Sequence, residues 1–382
     1  MAVSMHIEFA ASERSTVGIE WELAIVDRDT GDLVPMGPRV LKALGHADGS
    51  EDPNITHELL QNTVEVHSRV HHRVPDAVAD LAELINRVRG VVEPEGAELM
   101  CAGSHPFAQW FDQPVTRTDR YDRLLERTRW WGRQMLVWGV HVHVGIDEKA
   151  KALPILNGLL CYYPHLQALS ASSPFWAGAA TGYASNRALM FQQLPTAGLP
   201  WQLADWEEYE ACVDDLVRTG SIRDYSEVRW DIRPSPRWGT VEMRACDSLS
   251  TLEEIGSVSA LIHCLVDRMS AQLDAETAPA TLQPWFVREN KWRAARYGLD
   301  ADIIVDRAGT QRPVGDAIRE LLTELEPTAE RLGCSKELDQ VNLIFQHGAS
   351  YQRQLRVAEA NGGSLQAVVS SLAHELQHGL GD

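Results

Sequence analysis

Four short stretches of the chain place acidic and imidazole side chains two residues apart, the spacing that sets both on one face of a β-strand. In GIEWEL, residues 18–23, Glu20 and Glu22 share a face while Ile19, Trp21 and Leu23 take the other. At the rise of an extended strand the two carboxylates stand about 7 Å apart. In residues 140–144 the valines leave His141 and His143 on the opposite side, and Val64 and Val66 do the same for Glu65 and His67. In residues 240–246, Glu242, Arg244 and Cys246 oppose Val241, Met243 and Ala245. An ordinary solvated sheet face carries Lys and Thr. Here Arg244 is the single cation in a set of Glu20, Glu22, Glu65, His67, His141, His143 and Glu242. Carboxylate oxygens with an imidazole or two suit a hard divalent ion, magnesium or manganese before zinc, and four carboxylates can hold more than one.

That equipment matches what phosphoryl transfer requires. Metal ions neutralise a triphosphate, and arginines stabilise charge on the transferring group. The chain has no G-x-x-x-x-G-K-[ST] and no G-x-G-x-x-G after a strand, so a nucleotide must be held by metals and basic side chains on a sheet. Arg187, Arg233, Arg237 and Arg244 are the candidate arginines, with Arg293 and Arg296 further along; Arg244, beside Glu242, is the strongest.

A competing motif sits near the end. His374-Glu375-Leu376-Gln377-His378 matches H-E-x-x-H, the pattern of a zinc hydrolase with two ligands and a base. The apolar stripe Leu365, Val369, Leu372 and Leu376 predicts that His374 and His378 lie on the wet side of a helix. The motif therefore ranks far below the sheet cluster. A phosphotransferase acting on a guanidino or carboxyl compound is the other alternative, with the same sheet and a different acceptor.

The elements that must position these groups are legible from periodicity. Residues 17–26, 62–67 and 137–146 read as strands, as does a pair near 227–233 and 239–246 split at Pro234-Ser235-Pro236. Helices are expected near 38–45, 75–92, 151–171, 206–219 and 251–274, with a loop-rich stretch at 172–204. Residues 313–380 read as mostly helical, broken at Asn361-Gly362-Gly363. No repeat or long linker interrupts the chain, which predicts one α+β unit over residues 1–382 with a helical part from about 313.

Composition narrows the partners. A net charge of −19, spread along the chain, argues against a nucleic-acid or anionic membrane surface. Six scattered cysteines without a C-x-x-C pair predict free thiols in a reducing compartment. The start of the chain, Met1 to Ser15, has no apolar run behind a basic segment, so no signal peptide is expected and the setting is cytoplasmic.

In order along the chain, GIEWEL (18–23), ELLQNTVEVHS (58–68), GSHPF (103–107), RYDRLLE (120–126), GVHVHVG (139–145), LSASSPFWAG (169–178), YASNRALMF (183–191), WDIRPSPRWGTVEMRACDS (230–248) and ENKWRAARYGL (289–299) resemble the YbdK-type carboxylate-amine ligases. These are also called glutamate–cysteine ligase type 2 proteins. The resemblance covers residues 15 to 300 and continues more loosely to the end. It implies a curved, mainly antiparallel sheet with helices on its outer face, shared with glutamate–cysteine ligases and, more distantly, glutamine synthetase. It further implies ATP as co-substrate, small-molecule carboxylate and amine substrates, magnesium held by Glu20, Glu22, Glu65, His141 and Glu242, with Glu58 a further acid, and a homodimer. Arg187 would hold the carboxylate substrate and Arg244 would contact the transferring phosphoryl group. Arg233 matches an active-site position to which the resemblance gives no specific role. The implied reaction passes through an acyl phosphate, with glutamate and cysteine as the type substrates of the wider superfamily.

Overall fold

The computed structural model describes residues 6–46 and 50–380. The alternating segments become strands: β1 (Val17–Asp27), β2 (Ile55–His57), β3 (Thr63–His67), β4 (Ala97–Met100) and β5 (Gly139–Gly145). Two dipeptide strands, β6 (Phe175–Trp176) and β7 (Ala179–Ala180), precede β8 (Ile232–Ser235) and β9 (Thr240–Asp247). A separate pair, β10 (Asp302–Ile304) and β11 (Gln311–Pro313), follows. The main sheet runs β2-β3-β1-β5-β9-β8, antiparallel throughout, with β4 paired to the far half of β1. This is the α+β architecture that the element pattern predicts, with the mainly antiparallel sheet that the family resemblance implies.

Helices flank the sheet. Before β5 come α1 (Gly37–Leu44), α2 (Val74–Val92), α3 (Asp119–Thr128) and α4 (Trp130–Arg133). Between β5 and β8 lie α5 (Ala152–Leu159), α6 (Tyr163–Ser170), α7 (Arg187–Phe191) and α8 (Trp206–Arg218). Then follow α9 (Leu252–Asp274), α10 (Pro284–Tyr297), α11 (Val314–Leu332), α12 (Ser335–Asp339), α13 (Val341–His347), α14 (Ser350–Ala360) and α15 (Leu365–His378). The helix expected over 151–171 is two, because Pro164 sits in the first turn of α6, where a missing N–H costs nothing. No described helix is long and apolar enough to cross a membrane.

The sheet sorts its side chains by face. Ile19, Trp21 and Leu23 join Val64, Val66, Val142 and Met243 in one core with the buried stripe of α2 (Ala77, Leu81, Ile85, Val88) and the apolar residues of α9. On the opposite face, Ala24 and Val26 continue the row of Glu20 and Glu22 into a second apolar cluster, closed by Val368, Val369 and Leu372 of α15. The carboxylate end of that face is left uncovered by this cluster, and the site lies there.

Two strand expectations need correction. Pro234 and Ser235 lie inside β8 and not between the strands. β8 is an edge strand, where a residue without an N–H is tolerated. A bulge then interrupts β9: Val140 faces Cys246 and Val142 faces Met243, so β9 advances three residues while β5 advances two. Alternation reverses there, and Cys246 turns into the core beside Val140, leaving the carboxylate face to Asp247.

The H-E-x-x-H stretch is structural. His374 and His378 are exposed and stack on each other at 4.3 Å, as the apolar stripe predicts. Glu375, which a hydrolase would need as its base, is clamped instead by Arg353, whose Nε donates to it at 3.0 Å. Arg353 also lies 2.9 Å from Glu254, which is 1% exposed. Replacing Arg353 with Met would strand the Glu254 carboxylate, and urea denaturation should show a loss of about 3–5 kcal/mol; a loss under about 1 kcal/mol would contradict the role given to this pair.

Candidate active site

Cross-strand register brings the acidic rows together. Glu20 on β1 has His67 on one side and His141 on the other, and Glu22 stands opposite Glu65. His143 on β5 stands opposite Glu242 on β9, which stands opposite Arg233 on β8. A cavity of about 740 Å³ opens over this face. Of the nine predicted residues, Glu20, Glu22, Glu58, Glu65, His141, Arg187, Arg233 and Arg244 line it. Glu242, with no exposed surface, lies beneath the arginines.

Buried carboxylates at this density must be offset, and the structure shows how. Glu20 lies 3.1 Å from His141 Nδ1 and 3.2 Å from His143 Nε2. Burial pushes its pKa up, but hydrogen bonds with His141, His143 and His67 outweigh that and hold it well below the usual carboxylate range. His67 loses basicity to burial but gains more from Glu20 and Glu65, which raise it to about 10. Glu242 is likewise opposed by burial and held low by Arg233, 2.7 Å away, and by Arg244, which donates to its other oxygen. Glu22 has fewer partners. Burial, then Glu58 and Glu65, raises it well above the normal range, although the Gly139 N–H donates to it. Burial and Glu65 raise Glu58 to about 7.

Two groups of three ligand atoms converge within 4.8 Å: Glu20, His141 and Glu242, and Glu22, Glu65 and His141. His141 is common to both, and its buried Nε2 has no hydrogen-bond partner among the described residues. The other ring nitrogen, Nδ1, lies 3.1 Å from Glu20 and 3.9 Å from Glu65, and a buried imidazole with a nitrogen left unpartnered beside such carboxylates suits a cation site.

The arginines are positioned by separate devices. Arg187 starts α7 and is 4% exposed; its Nη1 donates to the Arg244 carbonyl at 3.2 Å, and it has no ion pair within 4 Å among the described residues. A Cβ at residue 139 would sit 2.1 Å from Arg187 Nη2, so glycine there makes the space for this side chain. Asp247, delivered to this face by the bulge, accepts from Ser172 N, Ser173 Oγ and Ser185 Oγ at 2.7–3.0 Å, and Ser173 Oγ accepts from Arg187 N. Arg244 follows Asp231, whose carbonyl takes the Arg244 N–H at 2.8 Å and whose carboxylate is paired with the buried Lys291 at 2.7 Å.

Some expectations fall outside the cavity. Arg293 is paired with Glu289, and Arg296 donates to the Gly182 carbonyl; neither lines it. Arg237 does line it, stacked 4.7 Å from Trp238. Arg120, Tyr121 and Arg229 also line the cavity and were not assigned from sequence. Burial, then Arg120, lowers Arg229 to about 10. Arg120 and Tyr121 open the RYDRLLE stretch, whose helical pattern alone gives no reason to place them beside strands 60 residues away.

A family profile described as glutamate-cysteine ligase family 2 matches residues 16–371. A relative from Leifsonia xyli subsp. xyli, provisionally named glutamate–cysteine ligase 2, is 70% identical over 98% of this chain and 99% of its own length. A relative from Rhodococcus jostii, provisionally named glutamate–cysteine ligase 2-2, is 56% identical over 97% of this chain and all of its own. Among solved structures, glutamate–cysteine ligase from Francisella tularensis in complex with AMP superposes with a TM-score of 0.69 at 14% identity, over 97% of this chain and 90% of that one. The bifunctional glutathione synthetase of Pasteurella multocida gives 0.68 at 16% identity, over 94% of this chain and 52% of that one. The two solved structures share the fold, and the profile and the relatives fix the family: the chain belongs to glutamate-cysteine ligase family 2.

Proposed function

We propose that the chain joins a glutamate-like carboxylate to a cysteine-like or other amine at the expense of ATP, with magnesium or manganese in the cavity. The observation that carries this is the convergence of Glu20, Glu22, Glu65, His141 and Glu242 on one sheet face, ringed by Arg187, Arg233 and Arg244. The oxygen-dominated donor set and the orphaned His141 nitrogen fit a hard divalent ion. Glu20, His141 and Glu242, or else Glu22, Glu65 and His141, would hold an ion, with Glu58 as a neighbouring acid. When bound, such ions neutralise the phosphate charge of the nucleotide.

The reaction has two steps. A carboxylate oxygen of the substrate attacks the γ-phosphorus of ATP, and ADP leaves from an acyl phosphate. The amine nitrogen then attacks the acyl carbon, phosphate departs, and the nitrogen loses a proton as the amide forms. Arg187, buried and free of an acidic partner, is suited to hold the substrate carboxylate in line. Arg244 and Arg233, which line the cavity above Glu242, would stabilise charge that builds on the transferring group. A cytoplasmic homodimer with reduced thiols belongs to the same proposal; all six cysteines stand free.

Three measurements test it. ADP release screened over amino-acid pairs should require both an acid and an amine, and hydroxylamine should trap the acyl phosphate; release with the acid alone and no hydroxamate would favour a kinase. Glu20→Gln should cut turnover by about 10² or more with the melting temperature nearly unchanged. Glu242→Gln is a poorer probe, because it also breaks two buried ion pairs. Chelation should abolish ADP release and added magnesium or manganese restore it; a chelator-resistant rate would remove the metal from the proposal.

A further inference from the structure

A second chamber, of about 310 Å³, shares Arg120, Leu124 and Arg229 with the main cavity. Arg120, Arg123 and Arg127 reach it from successive turns of α3, the i, i+3 and i+7 positions that share one helix face. Arg223 and Arg229 reach it from the segment after α8. Against these five guanidinium groups stand two acids, Glu126 and Glu227. None of the five has a carboxylate within 4.0 Å among the described residues. Arg127 and Arg229 satisfy part of their donors on backbone carbonyls, of Ser221 and Glu227.

In a chain of net charge −19, acids for pairing are abundant, so unpaired arginines gathered around one hollow are not an accident of composition. An anion would relieve their mutual repulsion, and a cleft lined with one sign of charge concentrates the opposite one. Guanidinium forks match the two oxygens of a carboxylate, and Leu124, Pro195 and Ile222 give the same chamber an apolar wall against which a carbon chain can lie. The volume suits a fragment of a ligand rather than a whole one. Since the chamber shares Arg120, Leu124 and Arg229 with the main cavity, such a fragment would be the far end of a molecule whose reacting end lies there.

Taking the chain as the ligase proposed above, we propose that this chamber binds the carboxylate-rich tail of an acidic, peptide-like substrate carrying at least two anionic groups beyond the reacting one. A single amino acid would leave most of these arginines unfilled.

The test compares triglutamate, glutamate, trialanine and pyrophosphate by calorimetric titration of the whole protein, and repeats it with Arg123→Ala/Arg223→Ala. Both residues lie away from the catalytic face, and unchanged melting temperature and unchanged glutamate binding verify that the variant is folded. Triglutamate should bind at least 10-fold tighter than glutamate, trialanine should not bind, and the double variant should erase the preference. Equal binding of triglutamate and glutamate, a preference that survives the double substitution, or pyrophosphate outcompeting triglutamate at the chamber would overturn the assignment. Because binding is read without turnover, ADP release separates the two ideas. Tight triglutamate binding with no ADP release from any acid and amine would sink the ligase chemistry and leave the chamber. Turnover of single amino acids with no peptide preference would do the reverse.

Discussion

Five buried or half-buried carboxylates on one sheet face are the constraint around which this molecule is organised. Taken alone, Glu20, Glu22, Glu58, Glu65 and Glu242 could not all ionise at such separations in a partly dry cavity. The protein offsets some of them internally: three histidines surround Glu20, and two guanidiniums clamp Glu242. It leaves others uncompensated. Burial pushes Glu22 and Glu58 upward, reinforced by Glu58 and Glu65 at Glu22 and by Glu65 at Glu58, a charge deficit that a cation would fill. The division suits the proposed site, in which a cation would arrive with a phosphorylated ligand and both would leave.

Holding like charges together requires rigid support beneath them. Trp21, fully buried under the face, donates from Nε1 to Ser248 Oγ at 2.8 Å, and that hydroxyl donates to the Glu22 carbonyl at 2.9 Å. Asp247 is locked by three serine donors, and Asp231 by Lys291 and by Tyr163, whose hydroxyl donates at 3.1 Å. These networks are fully inside, where satisfied polar groups fix one geometry and unsatisfied ones would be costly. They connect the cationic side chains Arg187 and Arg244 to the frame, so that charge is presented at fixed places as an ATP-dependent carboxylate-amine ligase requires.

The same accounting explains the misleading motif near the end of the chain. Glu375 has the spacing of a hydrolytic base, yet its charge is consumed by Arg353 against the buried Glu254. A short motif specifies side chains on a helix; what those side chains face is decided by the neighbours the helix packs against.

Local sequence determined much of this protein. Period-two alternation set Glu20, Glu22, Glu65, His67, His141, His143 and Glu242 apart from the apolar face, because successive strand residues point oppositely whatever the fold. The stripes of α2 and α15, and the order of family segments, were equally readable. Only the tertiary structure decided which rows became neighbours, since strand order and register depend on contacts between residues far apart in the chain. It alone revealed the bulge in β9, which turned Cys246 inward and brought Asp247 to the site. It alone carried Arg120 and Arg229 to the cavity and left Arg293 and Arg296 outside. A bulge or a helix docking angle is fixed by packing across the molecule, and that leaves no periodic trace in the residues that make it.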